Sequence, residues 1–129
     1  MSSWKRSFEA TCRELEMARR KKQALDELLA KNRMSQPTYQ HLLSSLEENI
    51  RHLEAHQRSL AQKMTKRVEE LQRQIEIFRL LMANLEMRHV SREVMPETYE
   101  KNKRTLTLGL EATENELNQI RNALARVAP

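Results

Sequence analysis

His52 and His56 stand one helical turn apart in His52-Leu53-Glu54-Ala55-His56, and His41 falls on nearly the same helical face. Imidazoles at that spacing are what a helix offers a metal ion. At about 100° per residue, however, all three point away from Leu43, Leu46, Ile50 and Leu53, and no strained or glycine-rich loop stands ready to complete a coordination shell. A zinc-protease helix would also need Glu directly after the first His. These histidines read as solvated, and no metal is expected. Cys12 is the only cysteine, so it can form neither an internal disulfide nor a structural zinc site, and it reads as a half-buried spectator thiol. One glycine in the whole chain leaves no phosphate-cradling loop, and no Ser–His–Asp or Cys–His arrangement can be assembled with any geometry. Carboxylates are plentiful but fall on exposed helix faces, where nothing would tune them for acid–base work. The residues predict no enzyme, no catalytic residues and no cofactor.

The basic residues carry a different chemistry. Arg6, Arg13 and Arg20 recur every seven residues on one outer helix face, with Arg19, Lys21 and Lys22 beside the last. As a candidate anion-binding set, Arg6, Arg13, Arg19, Arg20 and Lys21 could make salt-dependent, sequence-blind contacts with nucleic acid phosphates or, more weakly, an anionic membrane. The competing reading is a solvated face neutralised by Glu9, Glu14 and Glu16. The net charge of +5 comes from 23 basic against 18 acidic groups, an excess that permits nucleic acid without demanding it.

The elements that carry these residues can only be long helices. Hydrophobic residues are 39% of the chain, aromatics 4% and charged residues 32%, too little apolar surface for a thick globular core. A single Gly and three Pro leave no material for hairpin-rich β structure, while good helix formers dominate. No apolar run is long enough to span a membrane and no signal-peptide core follows Lys5 and Arg6, so the expected location is cytoplasmic.

Punctuation is confined to 32–37 and 90–96, and Pro37 and Pro96 each suit the first turn of a helix. The parse is a helix over about 4–31, a second over about 36–90 and a third over about 96–127. Phe8, Thr11, Leu15, Ala18, Lys22, Leu25 and Leu29 form a heptad seam on the first. The second carries Tyr39, Leu43, Leu46, Ile50, Leu53, Gln57, Leu60 and Met64, and after a stutter of one residue Val68, Leu71, Ile75, Phe78, Met82 and Leu85. The third carries Tyr99, Lys103, Leu106, Leu110, Thr113, Leu117, Ile120, Leu124 and Val127. Gly109 lies within it and predicts a slightly soft helix there. Met17, Met34, Met64, Met82, Met87 and Met95 read as gap-filling packing residues. Acid-before-base pairs four apart, including Glu16–Arg20, Glu47–Arg51 and Glu54–Arg58, predict intrahelical support.

Pro37-Thr38-Tyr39 recurs as Pro96-Glu97-Thr98-Tyr99, with Tyr39 and Tyr99 sixty residues apart and their seams in register. The expected fold is therefore all-α: two repeated helical hairpins, 1–63 and 64–129, that share a long central helix or close into a four-helix bundle. A continuous central helix would be about 80 Å long. A hairpin buries one stripe per helix, so a homodimer or higher oligomer and binding to other helical proteins are expected, with Leu28, Leu42, Ile77, Leu80 and Leu81 widening the apolar face.

From Leu85-Glu86-Met87-Arg88 through Met95-Pro96-Glu97-Thr98-Tyr99-Glu100 to Leu110-Glu111-Ala112-Thr113-Glu114-Asn115-Glu116-Leu117, the chain resembles the coiled-coil region of archaeal CdvA-like cell-division proteins. Leu28-Leu29 to Tyr39 is similar to a degenerate second copy. The resemblance implies a scaffold that dimerises or polymerises through helical hairpins and associates with ESCRT-III-type division proteins, DNA or membrane. No counterpart of the family's N-terminal β-barrel domain is expected, since a helix is expected from residue 4, and no recruiting peptide is expected after Val127.

Overall fold

The computed structural model describes residues 3–127. Three helices account for nearly all of them: α1 (Ser3–Ala30), α2 (Gln36–Val90) and α3 (Pro96–Ala125). No strand occurs among the described residues, and the fold is all-α. The helix limits fall within a few residues of those read from sequence. The stutter at Leu60, Met64 and Val68 does not interrupt α2, and Leu60 and Met64 are both buried.

Both turns are made the same way, sixty residues apart. α1 ends where the Asn32 backbone turns left-handed at φ 56, the Asn32 N–H donates to the Leu29 carbonyl (3.0 Å) and the Arg33 N–H to that of Leu28 (2.9 Å). α2 ends where Arg92 does the same at φ 63, with its N–H on the His89 carbonyl (3.1 Å) and the Glu93 N–H on that of Arg88 (2.8 Å). This paired bonding satisfies carbonyls that a helix end otherwise leaves open. Asn tolerates the left-handed region, whereas Arg at 92 pays for it with side-chain crowding of about 1–2 kcal/mol. The chain re-enters helix through Tyr39 N–H to the Ser35 carbonyl (3.0 Å) and Tyr99 N–H to the Met95 carbonyl (2.9 Å). Met95 is extended (φ −69, ψ 147), the conformation that a following proline imposes.

The chain divides into two compact units, with the boundary between Lys63 and Met64 inside α2. In the first, α1 runs antiparallel to the early part of α2, as shown by contacts joining Cys12 to Gln57, Arg19 to Glu54, Lys22 to Glu47 and Asp26 to Tyr39. In the second, the late part of α2 and α3 are joined by Arg67–Glu116 near one end and Glu86–Tyr99 near the turn. Apart from Ala123, every fully buried side chain lies on the seams of threes and fours, Phe8, Leu15, Met64, Leu71 and Ile120 being the largest. Burial of such side chains contributes about 1.5–3 kcal/mol each.

Gly109 has a packing role that helix propensity alone misses. A Cβ on it would stand 2.7 Å from both Cε1 and Cζ of Phe78, so the ring occupies the space a side chain would need. The equivalent positions in the first unit are Asn49 and Ala18, a larger residue on one helix and a smaller one on the other. Gly109→Ala is therefore expected to destabilise the protein by about 1 kcal/mol, the crowding outweighing the gain in helix propensity. In a Phe78→Leu background the same change should become neutral or stabilising. Urea melts followed by far-ultraviolet circular dichroism decide it, since a stabilising Gly109→Ala in the parent would contradict the contact.

Candidate helix-pairing surfaces

The side chains assigned to a helix seam and oligomer interface are all buried or half-buried in the single chain. Leu15, Leu25, Leu71, Ile75, Tyr99, Leu117 and Ile120 are buried; Leu29, Tyr39, Leu43, Leu46, Ile50, Leu53, Phe78, Met82, Leu106, Leu110 and Leu124 are half-buried. The polar seam positions find partners inside their own hairpins. Lys22 pairs with Glu47 (3.5 Å), Gln57 Nε2 donates to Cys12 Sγ (3.3 Å), and Lys103 Nζ lies 5.5 Å from the centroid of the Tyr99 ring. In the first hairpin these contacts cross between the helices and favour one register, whereas Lys103 and Tyr99 both lie on α3.

Each turn is closed by a tyrosine that reaches back across the hairpin. Tyr39 Oη donates to Asp26 Oδ1 and Tyr99 Oη to Glu86 Oε1, both at 2.6 Å, again sixty residues apart. The carboxylate acceptors hold both phenols above their ordinary range, because ionisation would set a phenolate against a carboxylate. In the second unit the ring of His89 stacks on Tyr99 (centroids 3.7 Å apart, planes within 14°), and the Tyr99 hydroxyl in turn holds the Lys103 ammonium above its ordinary range. The first unit has Leu29 and Leu43 at those two positions. Arg67 grips Glu116 through Nε (2.7 Å) and Nη2 (3.1 Å) and touches Glu70 (3.2 Å), and these carboxylates raise its already high pKa. Such bidentate geometry is the strongest form of ion pair.

Two carboxylates expected to pair along one helix pair across the hairpin instead. Glu47 takes Lys22 and Glu54 takes Arg19 (3.1 Å), while Glu16–Arg20 keeps its intrahelical contact at 3.7 Å. Of the candidate anion-binding set, Arg19 and Arg20 are thereby engaged; Arg6, Arg13 and Lys21 are exposed and make no ion pair among the described residues. His41, His52 and His56 are exposed, and no cluster of three metal-ligating side chains occurs among the described residues. No helix there is long and apolar enough to cross a membrane.

The methionines divide. Met64 is buried and Met34 and Met82 half-buried, but Met17, Met87 and Met95 are exposed and fill no gap. With Leu42, Ile77, Leu80, Leu81, Val90 and Leu108 they make an apolar set outside the seams, most of it in the second unit.

In the comparison with known families, the CdvA-like coiled-coil domain matches residues 3–129. The chain belongs to the CdvA-like coiled-coil family. It is accordingly a helical protein related to cell division. No curated protein and no solved structure matches this CdvA-like chain.

The tyrosine contacts of this CdvA-like domain are missed by heptad reading, because Asp26 lies off the seam. Their signal is the shared thirteen-residue spacing of Asp26–Tyr39 and Glu86–Tyr99. A phenol held above its ordinary value near 10 stabilises the folded state below that pH, and the benefit is lost as pH rises through the raised folded value. The chain has only these two tyrosines, so its phenolate absorbance reports on them alone. Titration of the folded protein is expected to show midpoints above that of the urea-unfolded chain. Tyr39→Phe/Tyr99→Phe should melt below the parent at neutral pH, with the gap closing in alkali; identical folded and unfolded midpoints would contradict the contacts.

Proposed function

We propose that this chain is a non-enzymatic, cytoplasmic coiled-coil scaffold or adaptor that self-associates and binds partner helices, serving archaeal cell division beside ESCRT-III-type proteins. The observation that supports this most is the match to the CdvA-like coiled-coil domain over residues 3–129, in a chain whose buried side chains serve helix pairing almost throughout. A two-helix hairpin covers one stripe of each helix and leaves both outer faces free for further helices. The exposed apolar side chains on those faces are the material for such contacts.

Self-association through apolar contacts is expected to persist in high salt, whereas phosphate binding by Arg6, Arg13 and Lys21 would fall steeply with it. Light scattering of the purified chain should give at least twice its 15.3 kDa mass in low and high salt alike. Leu46→Asp or Leu110→Asp, placing a carboxylate in a seam, should lower helicity and assembly together. A chain that stays monomeric at every concentration, or seam variants as helical and as large as the parent, would contradict the scaffold reading.

A further inference from the structure

The two hairpins share turns, registers and tyrosine contacts, so each serves as an internal control for the other. On the outer face of α2 in the second unit, Ile77, Leu80, Asn84 and Met87 are spaced three, four and three, a second heptad seam on the side away from the buried one. Ile77 is 56%, Leu80 70% and Met87 62% exposed, and Leu81 beside them is 45% exposed. The first unit has Met17, Arg20, Ala24 and Glu27 at the corresponding positions, with Lys21 in place of Leu81. A hairpin of this design therefore closes without an outer apolar stripe. The stripe in the second unit has another use.

We propose that this stripe is the homotypic interface, where α2 of one copy packs in parallel and in register against α2 of a second copy. The inference rests on the self-association put forward above and adds its place and register. Three observations favour a second copy as the occupant. Ile at the first heptad position followed by Leu at the fourth is the combination that favours two parallel strands. Asn84 sits at the next first position, and its amide both donates and accepts, so it can pair with its own counterpart across a two-fold axis. A single Asn so placed fixes the register. The area sets the scale: the four apolar side chains expose on the order of 450 Å² per copy, so two copies that covered them completely would bury about 900 Å², and the polar rim must supply the rest of the roughly 1,000 Å² minimum of a specific interface.

The rim is compatible with self-pairing. Arg79 is already matched by Glu76 on its own helix (2.8 Å) and brings no unpaired charge to the contact. Arg73 and Ser91 occupy the next seam positions and end the stripe on either side, and because the two Arg73 side chains of a parallel pair would stand opposite one another, the contact must end before them with their guanidinium groups in solvent. Leu81 and Asn84 also line a shallow groove between α2 and α3, which gives the partner helix a place to settle.

The test uses the full chain in sedimentation equilibrium, with circular dichroism as the control for folding. The parent is expected to be a dimer. Leu80→Glu and Met87→Glu, both at exposed positions, should stay equally helical while raising the dimer dissociation constant at least about tenfold, the loss of one buried apolar side chain. Arg20→Glu, at the corresponding site of the first unit, should leave it unchanged. In a Cys12→Ser background, Leu80→Cys should oxidise to a covalent dimer through position 80 of both copies. A parent dimer indifferent to both glutamates overturns the proposed face while leaving self-association intact. A dimer weakened by the glutamates that forms no such disulfide overturns the parallel register. A monomeric parent overturns the interface and the self-association reading together.

Discussion

Two helices laid side by side can hide only one stripe of each, and this geometric limit governs everything else in the chain. A composition of 39% hydrophobic and 32% charged residues suits that limit, since one apolar stripe per helix is all a hairpin can bury. Register then becomes critical, because a thin core has few contacts with which to correct an error. The chain fixes register with the left-handed turn residues at 32 and 92, the tyrosine-to-carboxylate bonds behind them, and cross-hairpin ion pairs such as Lys22–Glu47 and Arg67–Glu116. Each device acts between helices of the same hairpin.

The repeat shows which of these devices the design requires. The turn geometry and the tyrosine contact recur in both units, while the environment of the tyrosine does not: Leu29 and Leu43 in one become His89 and Lys103 in the other. The packing differs too: Phe78 fills the space beside Gly109, whereas the first unit has the small buried Ala18 and an exposed Asn49 at the corresponding positions. The closure is conserved while the filling beside it varies.

Much of this was legible in the residues. Heptad spacing located the buried side chains, and the two prolines with their flanking polar residues located the turns, because both signals are local and periodic. The three helices follow from them, while the resemblance to the CdvA-like family rests on the residues from Leu85 to Leu117 and is established by the whole-chain match. Cross-hairpin partners were not legible. Glu47 and Glu54 have basic residues four positions on and also face basic residues on α1, and helical spacing alone cannot choose between them. Gly109 likewise read as a weak point, since the Phe78 ring that explains it is thirty-one residues away in sequence. Met17, Met87 and Met95 looked like packing residues because their type suggests it, yet their faces point outward.

Each hairpin closes upon itself within one chain. Lys22 Nζ and Glu47 Oε2 stand 3.5 Å apart, close enough for a carbodiimide to join them as an amide without a spacer. An equal mixture of light and heavy isotope-labelled protein, equilibrated, coupled and digested, reports on which chains the joined peptides come from. Lys22–Glu47 crosslinks are expected to be wholly light or wholly heavy. Mixed crosslinks at the statistical frequency would mean that α1 pairs with α2 of another copy, and the self-closed hairpin would be wrong.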